Sequence, residues 1–150
     1  MRPYKEQYAR VERFLQRISR PNSNREEHED FLWAFFQNCW HLCDWVKNDT
    51  SIRKNKRDAI LLAVEQSKPL AICQCIANRS KHYRLRWKQR RNVKVVGKIS
   101  VGIEDGAGGG GSATISLEYV IKERKKEYRA LEIAEYAVDD WRKILGQYRL

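Results

Sequence analysis

The amino-acid sequence predicts a mainly α protein of the α+β class, a helical bundle of about five helices with one inserted antiparallel β-hairpin. Three observations predict it. Apolar residues recur at steps of three and four through most of the chain, the period changes to two between Tyr83 and Ile121, and a glycine tract divides the alternating part into two arms. Residues 1–150 read as a single domain, long enough to bury roughly two thirds of its unfolded surface without a metal or disulfide staple.

The first helix opens at Pro3, a residue suited to a first turn, and carries Tyr4, Tyr8, Val11, Phe14, Leu15 and Ile18 as far as about Ser19. Pro21-Asn22 breaks it. Ser23-x-x-Glu26 then reads as a capping box, and Glu26, Glu27, Glu29 and Asp30 fall where a helix N-terminus favours negative charge. The second helix runs to about Lys47 on the stripe Phe31, Leu32, Phe35, Cys39, Leu42, Cys43 and Val46. Trp33, Phe36 and Trp40 form an adjoining flank, so much apolar circumference suggesting a central helix or one that also meets a second subunit; the flank is the candidate protein interface of the alternative reading, a non-catalytic phage- or defence-related interaction module. Asn48 to Ser51 make a turn and cap, and Ala59 to Val64 form the buried part of a third helix that ends before Pro69. A short fourth helix starts there, with Leu70, Ile72, Cys73, Ile76 and Ala77 on one side and Gln74, Asn78 and His82 on the other.

Beyond it Tyr83, Leu85, Trp87, Val93, Val95, Ile99, Val101 and Ile103 take odd positions, while Arg84, Arg86, Lys88, Arg90, Lys94 and Lys98 take even ones. Ala113, Ile115, Leu117, Tyr119 and Ile121 repeat the alternation, so residues from about 93 to 122 read as the hairpin, with 105–112 as a mobile glycine-rich tip. Its Gly-Gly-Gly-Gly-Ser is also what a designed linker looks like. The last helix is expected from about Lys126 to Leu145, on Leu131, Ala134, Val138, Trp141 and Leu145, with Gly146 as its stop.

Thirty Lys and Arg against nineteen Asp and Glu leave a net charge of +11, which calls for an anionic partner, while 42% apolar residues exclude disorder. The longest apolar run, Ala59 to Val64, is six residues and too short to cross a bilayer, and Met1-Arg2-Pro3 opens no signal-peptide pattern. A cytoplasmic protein without a membrane partner is the expectation. Cys39 and Cys43 lie one turn apart, but Cys73 and Cys75 point about 200° apart on a helix and cannot face one ion. Buried free thiols, with no metal and no cofactor, follow. The glycine tract lacks the Gly-Lys-Ser/Thr ending of a phosphate loop.

The densest signal runs from Lys81 to Lys98, with eight Lys or Arg, no acid, and Tyr83 and Trp87 interleaved. Alternation sets Arg84, Arg86, Lys88, Arg90, Lys94 and Lys98 on the solvent side of a strand, where they can track the phosphates of RNA or another nucleic acid. The competing reading is an edge strand protected by its charges. Arg53 to Arg57 and Lys122 to Lys126 are two further basic runs, each with four cations in five residues. At the end of the fourth helix Asn78 and His82 share a face, and flanking cations disfavour a charged His82, which keeps it available as a general acid/base. Arg79 and Lys81 beside it would steady the negative transition state of phosphodiester cleavage. His41, near Asp44 one turn on, reads as a surface pair.

A compact bundle with this Asn78-Arg79-x-Lys81-His82 cluster resembles the HEPN superfamily, small helical domains of toxin-antitoxin, abortive-infection and other antiviral systems. The usual signature there is Arg, often followed by a polar residue, then four to six positions and His; here Asn78 and His82 are the matching positions, and the likeness covers the helical parts. The resemblance implies a dimeric, metal-independent endoribonuclease in which His and Arg of both subunits meet in a cleft, with a homodimer or an antitoxin-like protein as partner.

Overall fold

The computed structural model describes residues 3–21, 24–81, 92–104 and 112–150, with backbone alone at 81, 101–104 and 112–116. In chain order the elements are α1 (Pro3–Ile18), α2 (Arg25–Asn48), α3 (Lys54–Gln66), α4 (Lys68–Lys81), β1 (Val93–Glu104), β2 (Ser112–Glu123), β3 (Lys126–Arg129) and α5 (Ala130–Gln147). The fold is thus the mainly helical α+β arrangement that the periodicity predicts, with a small antiparallel sheet in the order β1-β2-β3.

At the centre is α2, packed against each of the other helices. Leu32, Phe35, Phe36, Cys39, Leu42, Cys43 and Val46 are buried along it. Phe36 belongs to this core: on a helical wheel it falls about 20° from Cys43, and its ring packs edge-on against Phe35 at 5.3 Å. Of the expected docking flank only Trp33 and Trp40 remain half-buried. Polar bonds also join α1 to α2. Gln7, almost fully buried, donates from Nε2 to the Asn38 carbonyl at 2.9 Å and accepts from Arg10 at 2.7 Å, so its buried amide is paired at both ends. Trp141 of α5 is fully buried and its indole Nε1 donates to the Cys39 carbonyl at 3.2 Å.

Three boundaries differ from expectation, each for a local reason. The α2 cap is Asn24, whose side chain accepts from the Glu27 backbone N–H at 3.1 Å, in place of Ser23; Asn serves a helix start as well as Ser. The stretch from Lys126 is the strand β3 before it is helix. Arg124 adopts a left-handed φ of 55°, the chain reverses at 124–125, and Tyr128 pairs with Ile121 across the new ladder. At the far end α5 runs through Gly146 and stops where Arg149 takes a left-handed φ of 53°. The Leu150 N–H then reaches the Leu145 carbonyl at 3.1 Å and the Arg149 N–H the Gly146 carbonyl at 3.0 Å, which is a Schellman ending.

The two long strands keep one register from Val93↔Glu123 to Glu104↔Ser112, so the hairpin reading holds; its glycine tip at 105–111 lies outside the described residues. Only the root of this hairpin is core. Val93, Tyr119 and Ile121 are buried against the bundle, whereas Ile99, on the same face farther out, is 67% exposed. Because Trp141 ties the last helix to the middle of α2, Trp141→Ala is expected to cost about 3–5 kcal/mol in chemical denaturation, as for other large buried aromatics.

Candidate nucleic-acid interface and adjoining cavity

The cationic segment is anchored by Arg79 on the last turn of α4. Its Nη1 donates to the Val93 carbonyl at 2.6 Å and approaches Asn92 Oδ1 at 3.4 Å. The end of α4 and the start of β1 are therefore clamped side by side. Arg79 itself is exposed but engaged, which makes it a positioning residue at this neck. Ser80, next to it, accepts a hydrogen bond from Gln37 of α2 at 2.8 Å and donates to the Ala77 carbonyl at 2.7 Å. Asn78 sits half-buried on the side of α4 away from the core, and Lys81 is the helix's last residue. His82, Arg84, Arg86, Lys88 and Arg90 lie outside the described residues.

Lys94 and Lys98 are exposed on β1 as the alternation requires, yet they stand in different company. Lys98 bonds to Glu127 of β3, Lys122 stands 3.8 Å from the same carboxylate, and Arg129 bonds to Glu118. The solvent face of the sheet is laced by opposite charges. Lys94 has no ion pair among the described residues. Three of the four cations in the Arg53–Arg57 run are also engaged: Lys54 pairs with Asp58 at 2.7 Å, Lys56 donates to the Tyr148 carbonyl at 3.1 Å and Arg57 to the Asp49 carbonyl at 3.1 Å. Charge counting along the sequence could not separate Lys56, Arg57, Lys98 and Arg129 from available cations, because their partners are backbone carbonyls or lie on another strand.

All four cysteines are buried and unbridged. Burial, reinforced by neighbouring Cys39, raises the thiols of Cys43 and Cys73 well above their ordinary value, so both stay protonated at neutral pH. Cys75, two residues from Cys73 and so on another side of α4, is buried as well. His41 is half-buried with Nε2 out of solvent, in place of the expected surface position.

A cavity of about 580 Å3 lies beside the hairpin root, where the end of α1, the first turns of α2, strand β2 and the β3–α5 junction meet. Ile18, Leu32, Leu117 and Leu131 give it an apolar side; Arg20, His28, Glu118, Tyr119 and Arg129 give it a polar one. The His28 ring stacks on Tyr119 at 5.7 Å between centroids, with 24° between planes. Tyr119 donates to Glu29 at 3.1 Å. Burial raises its phenol above the ordinary value, with Arg25 opposing and Glu29 adding to the effect. Nothing in the sequence marked His28 for this role, since it falls in an acidic run that reads as helix-start charge and its partner is 91 positions away, at Tyr119.

The charge lacing generates a pH prediction. Hydrogen bonding from Lys98, helped by Lys122, holds the Glu127 carboxyl below its ordinary value. A lowered folded-state value means the pairing favours the fold above the unfolded carboxylate's pKa and is lost as pH falls through the folded one. In an NMR titration the Glu127 midpoint is expected to lie below that of an ordinary glutamate and to rise toward it in Lys98→Ala; an unmoved midpoint would remove Lys98 as the partner. Compared with protein-family models, curated proteins and solved structures, the chain matches none.

Proposed function

We propose that this protein binds RNA through the cationic segment from Lys81 to Lys98, using the residues outside the laced sheet. The observation that carries the reading is the Arg79–Val93 clamp at 2.6 Å. It holds the end of α4 beside the start of β1, and the sequence that joins these two points carries Lys81, Arg84, Arg86, Lys88, Arg90 and Arg91 with no intervening acid. Cations gathered in this way displace condensed counterions when they meet a phosphate backbone, which supplies affinity without sequence preference. Lys94 extends the patch onto β1, whereas Lys98 must leave Glu127 to join it. The likeness to HEPN domains extends the proposal to metal-independent cleavage, with His82 as general acid/base immediately after the last residue of α4.

Fluorescence anisotropy with a labelled oligoribonucleotide across a salt series tests the binding. Affinity is expected to fall steeply with salt, and Arg86→Gln, Lys88→Gln and Arg90→Gln together are expected to flatten the slope by about two to three units, at roughly one phosphate per cation. The melting temperature is expected to stay within a few degrees, since exposed charges contribute little to stability. An unchanged slope would reduce the segment to a solvated surface. Cleavage is read separately: RNA turnover that survives a chelator and is lost in His82→Ala supports it, and turnover indifferent to His82→Ala removes it.

A further inference from the structure

We infer that the cavity beside the hairpin root is a binding site for a nucleoside monophosphate, with its base on the apolar side and its phosphate on Arg20. Volume comes first. About 580 Å3 falls within the usual range for small-molecule sites, and it opens to solvent past the exposed Ser19, Arg20 and Pro21. The lining is divided in the way an amphiphilic ligand requires. Leu32, Leu117 and Leu131 provide a surface for a planar, weakly polar body, while the polar groups gather opposite.

The charge balance selects an anion. Arg129 and Glu118 are bonded to one another and cancel, and Arg20 has no ion pair among the described residues, which leaves one positive charge on the lining. Glu132 and Glu135 stand close enough to influence Arg129, so its guanidinium is already compensated and Arg20 is the stronger determinant. A ligand with a single phosphate or carboxylate matches this balance better than one with several. His28 lies on the polar side, its Nδ1 out of solvent with no hydrogen-bond partner among the described residues and its ring stacked on Tyr119. The choice of a nucleotide among organic anions rests on the RNA-binding reading, because β2 supplies Leu117, Glu118 and Tyr119 to this cavity and pairs throughout with β1, where the cationic segment ends. The phosphomonoester can belong to a free nucleotide or to the 5′ end of an RNA chain.

Calorimetric titration and thermal melting with AMP, adenosine and inorganic phosphate test the site on the intact chain. AMP is expected to bind and to raise the melting temperature by mass action, with adenosine at least about tenfold weaker, the loss of one charge-assisted contact. Arg20→Gln is expected to weaken AMP by about tenfold while leaving the unliganded melting temperature in place, since Arg20 is exposed. Leu131→Trp, which fills the cavity from its half-buried rim, is expected to abolish binding; it is scored only alongside Arg20→Gln, so that a folding defect in one variant cannot decide the outcome. The Arg86→Gln, Lys88→Gln, Arg90→Gln variant is expected to retain AMP affinity while losing its salt slope for RNA, which separates the two sites. No AMP binding at millimolar concentration, or equal affinity for AMP and adenosine, overturns the inference even where RNA binding holds. A 5′-phosphorylated oligoribonucleotide that displaces AMP better than its 5′-hydroxyl counterpart identifies an RNA end as the source; equal displacement identifies the free nucleotide.

Discussion

Trp141 joins α5 to the middle of α2, burying its whole ring and donating from its indole to the Cys39 carbonyl across 102 positions of sequence. Between these two residues lie α3, α4 and the entire sheet, and each must leave the bundle and return within the space that this contact allows. The interior is close-packed and an indole has one donor to satisfy, so the contact sets both the depth and the rotation of α5. Ala134, Ala137 and Val138 then fall against the core as small residues that let the helix approach closely. The sheet is carried along: β3 passes directly into α5, and β1 is tied to α4 at Arg79.

This anchoring explains how a strongly basic chain partitions its cations. Some near the helices close the fold, as Lys56 and Arg57 do on backbone carbonyls. Others on the three-stranded sheet are matched by Glu118 and Glu127, which limits both repulsion and edge association. A further group, Lys81, Arg84, Arg86, Lys88, Arg90 and Arg91, falls in the sequence between the end of α4 and the start of β1. Net charge by itself is a solubility and association property; its placement decides what it can hold.

The cavity follows from the same geometry. Helix α1 ends, α2 begins, and β3 turns into α5 around one point, and helix ends meeting at a junction pack less completely than helix faces do. Tyr119 lies at the edge of this space because β2 continues past the core, and His28 reaches it from the second turn of α2. Aromatic stacking and the Tyr119–Glu29 bond join the hairpin to α2 there, so any ligand in the cavity touches the sheet and two helices at once.

The sequence by itself determined the helices and the long strands, because a buried helix face and a half-buried strand impose periods of 3.6 and two on the apolar residues. Leu70, Ile72, Cys73, Ile76 and Ala77 are buried as that rule requires, and Val93, Tyr119 and Ile121 likewise. It left β3 unread, since a four-residue strand is too short to show a period and the turn before it uses Arg124, where turn chemistry favours Gly or Asn. It left Phe36 between a central helix and a docking flank, because a position at the margin of the apolar stripe is assigned by what packs there. Only the tertiary structure decided which cations are spent and which remain, and that His28 faces Tyr119. Those are pairings between residues far apart in the chain, and local periodicity carries no information about partners.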